Sequence, residues 1–298
     1  MSESTLTVVD PATEQTIAEI ALGGTEAADT AVARAAEAFP AWRAVAPADR
    51  ARLMRRFAAQ VEDHAEELAA LETTNVGKPI SDSRDEVAMV AEVLYFYAGA
   101  VDKHRGATVP VAGGEDLTFN EPLGVVAAIV PWNFPIAITS WKVGPALATG
   151  NTVVVKPAEL TPLTALRLET LALEAGIPPG VLQVVVGTGP VAGARLVEHP
   201  AVAKVAFTGS TAVGRQVMAT ASRTIKRVTL ELGGKSANIV FSDADLERAA
   251  AAAPGGVFAN SGQDCCARSR ILVQRSVFDQ FLDLLGAAVT AWRVGDPH

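Results

Sequence analysis

The chain contains few of the residues that form disulfide frameworks or metal sites. Only two cysteines occur in 298 residues, and they are adjacent, at Cys265 and Cys266. Neighbouring cysteines rarely bridge each other, which argues against a disulfide framework and favours a reducing cytoplasm. The four histidines are scattered along the chain and match no metal-ligand spacing, so we assign no metal site.

Long apolar runs and an excess of positive charge are also absent. The longest apolar runs, such as 125–130, are far too short to span a bilayer, and Met1 to Ser4 lack the basic segment of a secretory signal. The net charge of −8 gives no basic surface for nucleic acid or an anionic membrane. With 49% hydrophobic and 19% charged residues, the composition is that of a folded globular protein with one large domain or two ordinary ones.

Residues 26–103 show the periodicity of helices. Apolar residues recur at three- and four-residue steps in the segments 26–39, 50–71 and 86–101, and each segment therefore presents one apolar face. Thr25 is placed to cap the first helix and Pro40 to end it.

After Gly124 the pattern changes to apolar strands that alternate with helical segments. The predicted strands are 125–130, 152–155, 182–186, 202–207 and 228–232. Helical segments between several of them predict βαβ units, and thus a mostly parallel, Rossmann-like α/β sheet with helices on both faces. Upstream of this sheet, Gly113 and Gly114 lie between short β-prone stretches and predict a hairpin at 107–121.

The last residues begin a further α/β unit. A predicted strand at 269–274 and a predicted helix at 277–292 are followed only by the turn-forming segment 295–298. A frayed terminus and a truncated chain both account for such an ending, and we favour truncation at the C-terminus. Truncation would leave a sheet with unpaired edges, so we expect aggregation or weak ligand binding.

Three segments carry residue types suited to covalent chemistry on a carbonyl group. The carboxylate is that of Glu231, in the segment Leu-Glu-Leu-Gly-Gly-Lys-Ser at 230–236. The thiol is that of Cys265, in the segment Asn-Ser-Gly-Gln-Asp-Cys-Cys at 260–266. The amide is that of Asn133, in the segment Val-Pro-Trp-Asn-Phe-Pro at 130–135. Base, nucleophile and oxyanion donor are the parts that such chemistry requires. Together these segments resemble the NAD(P)-dependent aldehyde dehydrogenase superfamily, and the resemblance covers effectively the whole chain.

The resemblance implies a catalytic role for each of the three residues. Cys265 would attack the aldehyde carbon to give a thiohemiacetal, Glu231 would activate the water that hydrolyses the thioester, and Asn133 would donate to the oxyanion with the backbone N–H of Cys265. Taken alone, the cysteine would more often be inert and buried, the glutamate solvated and the asparagine part of a turn. We interpret Cys266 as a structural residue and not as the reactive thiol. Asp264 would raise the pKa of its neighbouring thiol, so activation has to come from elsewhere.

The resemblance also implies a cofactor site. It puts Lys156 and Glu159 on the adenosine ribose, where a glutamate repels a 2′-phosphate and so favours NAD over NADP. Gly209 would permit a ligand to approach the backbone closely. Ser210 and the start of the helix after it would hold the pyrophosphate, and Trp132 would flank the same phosphates. The competing interpretations are a solvent-facing strand end for Lys156 and a capped helix start without a ligand for Ser210.

By the same resemblance, residues 1–103 and 123–233 form an NAD-binding domain, 104–122 an oligomerisation hairpin, and 234–298 the incomplete start of a catalytic domain. The expected reaction is oxidation of a small aldehyde to a carboxylate. Glu231 disfavours relatives that pass the acyl group to coenzyme A, and the alternative is a non-catalytic nucleotide-binding fragment. We expect no nucleic-acid or membrane partner and a homodimeric or homotetrameric full-length parent. Asp264 hints at cationic aminoaldehydes.

Overall fold

The computed structural model describes residues 5–298, which begin with an antiparallel hairpin followed by four helices. The strands are β1 (Thr5–Val9) and β2 (Thr16–Ala21). The helices are α1 (Thr25–Ala44), α2 (Pro47–Asp63), α3 (Ala65–Val76) and α4 (Ile80–Ala100). The N-terminal hairpin was not predicted, whereas the helical character of 26–103 is confirmed.

The ends of these helices differ from the prediction in three places. Helix α1 continues past Pro40 because Ala36, whose carbonyl loses its intrahelical partner, is exposed to water. Thr25 is the first helical residue and not the cap, which is Gly24. The segment predicted as one helix at 50–71 breaks at His64, whose backbone N–H and ring Nδ1–H both donate to the Gln60 carbonyl, at 3.2 and 2.8 Å.

A five-stranded parallel sheet forms the centre of the fold. After the hairpin β3 (Thr108–Val111) and β4 (Gly114–Leu117), the chain runs through β5 (Val125–Ile129), α5 (Pro135–Ala148), β6 (Thr152–Lys156), α6 (Leu163–Glu174), β7 (Leu182–Val184), α7 (Ala194–Glu198), β8 (Val202–Gly209), α8 (Thr211–Ser222) and β9 (Arg227–Leu232). The spatial order is β7-β6-β5-β8-β9, with every pairing parallel. The predicted parallel sheet, its five strands and the hairpin are confirmed.

The sheet has an apolar core on each face, but only part of it is covered on both. Helices α2, α4, α5 and α6 pack on one face and α1, α7 and α8 on the other. Strands β5 and β6 are therefore buried throughout. Strand β9 instead alternates, because Val228, Leu230 and Leu232 pack towards the α1 and α8 side while Arg227, Thr229 and Glu231 are exposed on the α5 side.

The remaining residues form a small separate layer. It comprises β10 (Ala237–Val240), α9 (Leu246–Ala252), α10 (Gly255–Phe258), β11 (Arg270–Val273) and α11 (Phe278–Thr290), and β10 pairs with β11 in parallel. Their core, which includes Val240 and Phe281, does not merge with the two cores of the larger sheet. Among residues 5–298, no helix has both the length and the apolar character needed to cross a membrane.

Candidate active site

The order of the strands places a crevice between the carboxyl ends of β5 and β8. From β5 the chain moves outward through β6 and β7 and then returns to the opposite side of β5 for β8 and β9. Open α/β sheets bind ligands outside the carboxyl ends of the strands at such a reversal. Trp132 and Asn133 follow β5, and Ser210 follows β8, so residues from both motifs border this crevice.

Two residues predicted for the cofactor lie at the end of the neighbouring strand β6. Lys156 is 2% exposed and its Nζ donates to the Pro157 carbonyl at 2.6 Å and to Glu159 Oε2 at 3.1 Å. Burial lowers the pKa of Lys156, while Glu159 opposes that shift. Burial would raise the pKa of Glu159, but backbone N–H groups and Lys156 outweigh it and hold that pKa below its usual value. Glu159 is therefore a fixed carboxylate.

The start of α8 has the geometry of an anion site. Ser210 is its N-cap, with Oγ accepting the Val213 N–H at 3.3 Å. A Cβ on Gly209 would lie 2.6 Å from the Phe207 ring, so the close turn between β8 and α8 requires glycine. Helix N-termini attract phosphate groups, and Trp132, 44% exposed, borders the same strand ends. These residues fit a dinucleotide whose phosphates lie at the crevice.

The loop before Cys265 contains three consecutive residues with left-handed backbone angles. The φ values are +52° at Asn260, +56° at Ser261 and +77° at Gly262. A left-handed conformation costs a residue other than glycine about 1–2 kcal/mol, so two of the three need compensation. Asn260 provides part of it, because it is 2% exposed and its Nδ2 donates to the Gln263 carbonyl at 3.3 Å.

This left-handed turn connects the cysteine segment to the segment that carries Asn133. Asn133 Nδ2 donates to the Gln263 carbonyl at 2.7 Å, and Asn260 Nδ2 donates to the Asn133 carbonyl at 2.8 Å. Gln263 is two residues before Cys265 in the chain. The structure therefore holds the Asn133 side chain against the loop that leads into Cys265.

The two thiols are free and close to each other. Both residues are exposed, and the Cys265 and Cys266 Sγ atoms are 3.8 Å apart. Partial burial of the Cys265 thiol, its contact with Cys266 and the negative charge of Asp264 raise the pKa of Cys265 to about 11. Asp264 also accepts the Cys266 N–H at 2.9 Å. The expected direction of the Asp264 effect is thus confirmed, and burial contributes more to the shift.

Glu231 lies on the exposed side of β9, in an open groove between that strand and α5. The groove is also lined by Lys142, Lys204, Thr208 and Arg227. Lys142 is 8% exposed, and burial lowers its pKa to about 8 although the negative charge of Glu231 opposes the shift. Within residues 5–298, no hydrogen bond connects Glu231 with Cys265.

A family model described as the aldehyde dehydrogenase family matches residues 1–298. The chain belongs to the aldehyde dehydrogenase family. It is 47% identical to the mitochondrial aldehyde dehydrogenase of Rattus norvegicus, covering 100% of this chain and 58% of that protein. It is 46% identical to the NADP/NAD-dependent aldehyde dehydrogenase PuuC of Escherichia coli K12, covering 98% and 60%.

Solved structures of aldehyde dehydrogenases are similar to this chain in fold as well as in sequence. The crystal structure of PnpE in complex with nicotinamide adenine dinucleotide superposes with a TM-score of 0.96 at 47% identity, and the match covers 99% of this chain and 61% of that one. The chain thus spans about 60% of the length of the aldehyde dehydrogenases that it matches.

Two buried residues of this candidate site were not singled out from the sequence. Asn260 lies in the segment 260–266 that carries Cys265, and it has a left-handed backbone conformation. Its bond to the Asn133 carbonyl spans 127 residues, so no local pattern indicates it. Lys142 is the one charged residue of helix α5, and this pattern is the local signal that could have indicated it.

Proposed function

We propose that the chain carries the nucleophile and the cofactor site of an enzyme that oxidises an aldehyde to a carboxylate with NAD. The observation that supports this most strongly is the pair of hydrogen bonds between the Asn133 segment and the loop before Cys265, at 2.7 and 2.8 Å. These bonds hold the amide donor against the loop that leads into Cys265, next to the crevice of a parallel sheet. Acyl chemistry through a covalent thioester requires this combination.

In the first step, Cys265 attacks the aldehyde carbon. The thiol proton passes to water, the thiolate Sγ forms a bond to that carbon, and the carbonyl oxygen takes up the π electrons and becomes an oxyanion. The amide of Asn133 has two hydrogens, of which one is bound to the Gln263 carbonyl, so the second is available to the oxyanion together with the Cys265 backbone N–H. NAD, when bound, supplies the acceptor for the hydride that the resulting thiohemiacetal loses.

In the second step, Glu231 takes a proton from a water molecule that attacks the thioester carbon. The carbon–sulfur bond then breaks, which releases the carboxylate product and restores the thiol. Lys142 supports this role because its charge attracts that of Glu231 across the groove.

The cofactor is held by residues at three adjoining strand ends. Lys156 and Glu159 bind the adenosine ribose, while Gly209, Ser210 and Trp132 contact the pyrophosphate. A fixed carboxylate at Glu159 repels a 2′-phosphate, so the preference is for NAD over NADP. PnpE, similar throughout the described fold, was solved with nicotinamide adenine dinucleotide, which supports the same choice.

The proposed organisation follows from the same assignment. Residues 1–103 and 123–233 form the NAD-binding domain, 104–122 an arm for oligomerisation, and 234–298 the beginning of the catalytic domain. The whole enzyme acts as a homodimer or homotetramer on a small aldehyde. Two exposed free thiols are suited to a reducing compartment such as the cytoplasm.

A second candidate function is nucleotide binding without turnover. It is favoured by the open groove around Glu231 and by the absence, within residues 5–298, of a hydrogen bond between Glu231 and Cys265. In that case the crevice would bind NAD while the thiol stays idle.

The two candidates are separated by measuring NADH formation from NAD and a panel of aliphatic, aromatic and amino aldehydes. The first candidate predicts NADH formation by the unsubstituted chain, none by Cys265→Ala, and a nearly unchanged rate in the matched control Cys266→Ala. NAD binding by fluorescence titration with no turnover in any sample would establish the second candidate. Equal turnover by Cys265→Ala and the parent would refute the covalent mechanism.

A further inference from the structure

The short corner between α3 and α4, residues 76–82, contacts the cysteine loop at two residues of its left-handed turn and at the residue that follows the turn. Asp82 Oδ2 accepts the Asn260 backbone N–H at 3.0 Å, and Ser261 Oγ donates to the Gly77 carbonyl at 2.8 Å. Gln263 Nε2 donates to the Val76 carbonyl at 3.4 Å. The corner is separated from this turn by more than 170 residues of sequence, and each contact is to a residue just before Cys265.

The α3–α4 corner also takes part in a cluster of buried charged residues. Lys78 is fully buried, with Nζ 2.7 Å from both carboxylate oxygens of Glu86 and 3.2 Å from Glu72 Oε1. Its ammonium also lies 4.7 Å from the centre of the Phe134 ring. Glu72 Oε1 in turn accepts the Ile136 N–H at 3.4 Å. The corner thus contacts the segment that carries Asn133 as well as the segment that carries Cys265.

We propose that the α3–α4 corner is the element that positions Cys265 relative to Asn133, and that Asp82 is its principal positioning residue. Asp82 itself touches no reacting atom. It holds the Asn260 N–H at the first residue of a left-handed turn, where the unconstrained backbone would relax to a right-handed conformation. Relaxation there would rotate the chain at Gln263, which carries the acceptor for Asn133, and would move Cys265 away from the amide.

A purely structural role for Asp82 makes a different prediction. Asp82 lies in the first turn of α4, where a carboxylate stabilises the helix through its dipole. That effect would change the melting temperature and leave the thiol as it is. If Asp82 positions the loop, its removal should instead reduce the partial burial that raises the pKa of Cys265.

The test is the rate of alkylation of Cys265 by iodoacetamide between pH 7 and pH 10, in a Cys266→Ala background. In Asp82→Ala we expect the rate to rise by about threefold or more, because a released loop hydrates the thiol and lowers its pKa by about half a unit. Asp82→Asn keeps an oxygen that accepts the Asn260 N–H and should retain the parent profile. Asp85→Ala, an exposed carboxylate on the same helix, is the matched control and should also match the parent.

A folded Asp82→Ala variant with the parent profile would overturn the proposal, as would an equal rise in Asp82→Asn. If Asp82→Ala does not fold, Ser261→Ala, at the exposed middle residue of the turn, takes its place; we expect a smaller rise, and an unchanged profile would count against the proposal. The catalytic importance of this positioning rests on the proposed function. Alkylation needs neither NAD nor aldehyde, so a chain without turnover still tests the positioning itself.

In a chain that does turn over, Asp82→Ala should lower kcat and leave the KM for NAD unchanged. The cofactor residues at β6 and β8 make no contact with residues 76–82 through the hydrogen bonds described above. A parallel change in the KM for NAD would instead indicate a general loss of structure and would count against a specific role in positioning.

Discussion

Replacing Lys78 with methionine should destabilise the fold strongly, because Lys78 is the single cation of a buried cluster with two carboxylates. Glu72 and Lys78 are fully buried, and the Glu86 side chain is 9% exposed. Methionine fills a similar volume but leaves both carboxylates without their partner. Breaking a buried pair in this way costs about 3–5 kcal/mol of unfolding free energy. The lost contact with the Phe134 ring adds to this cost.

The cost should also depend on pH. Burial raises the pKa of Glu86 from 4.5 to about 7, although Lys78 opposes the shift. Between these two values the folded state binds more protons than the unfolded state, so stability falls as pH rises, by up to about 3 kcal/mol. Without Lys78 the pKa of Glu86 rises further. The penalty of the substitution should therefore be larger at pH 8 than at pH 5.5.

Urea denaturation at these two pH values, followed by the fluorescence of buried Trp42, measures both effects. Arg84→Met is the matched control on the neighbouring helix, since it breaks an exposed pair with Glu66 and should change the unfolding free energy by less than about 1 kcal/mol. A loss below about 1 kcal/mol at pH 8 in Lys78→Met, or an equal loss at both pH values, would refute this reasoning.

Two further predictions concern the base and the α3–α4 corner. Glu231→Gln should form NADH in a first burst and then turn over about 10²–10⁴-fold more slowly, because hydrolysis of the thioester lacks its general base. Stopped-flow absorbance measures the burst and the steady-state rate. An unchanged steady-state rate would exclude Glu231 as the general base. Gly77→Ala should lower the unfolding free energy by about 1–2 kcal/mol or more, since φ is +77° and a Cβ would lie 2.8 Å from Pro11 Cγ. Gly114→Ala, with no atom within 4 Å of its Cβ, is the control for the same denaturation experiment.

The central sheet could be predicted from the sequence because its strands are local and apolar. Each of the five strands lies between turn or helix signals, and burial on both faces leaves a continuous apolar run at β5 and β6. The position of Glu231 near the carboxyl end of β9 followed from the same pattern. Strand β10 was missed because only four residues separate its start from the preceding Leu232.

The uncovered face of the sheet and the support of the cysteine loop could not be predicted in the same way. Alternation in β9 was visible, but which side lacks a covering helix depends on the path of α5 relative to β8 and β9. In the sequence, Asp82 has the pattern of an ordinary acidic residue in the first turn of a helix. Its bond to Asn260 spans 178 residues, and no local pattern indicates such a contact.

The chemistry of Cys265 places a requirement on how the site becomes reactive. A thiol with a pKa of about 11 is ionised in only about one molecule in 10⁴ at pH 7, whereas the thiolate is the species that attacks. Its neighbours cannot correct this, because Asp264 and Cys266 both raise the pKa and the residue follows a turn and not a helix start. A positive charge brought by a ligand would lower it, and oxidised nicotinamide carries one. The thiol should therefore react faster in the cofactor complex than in the free protein.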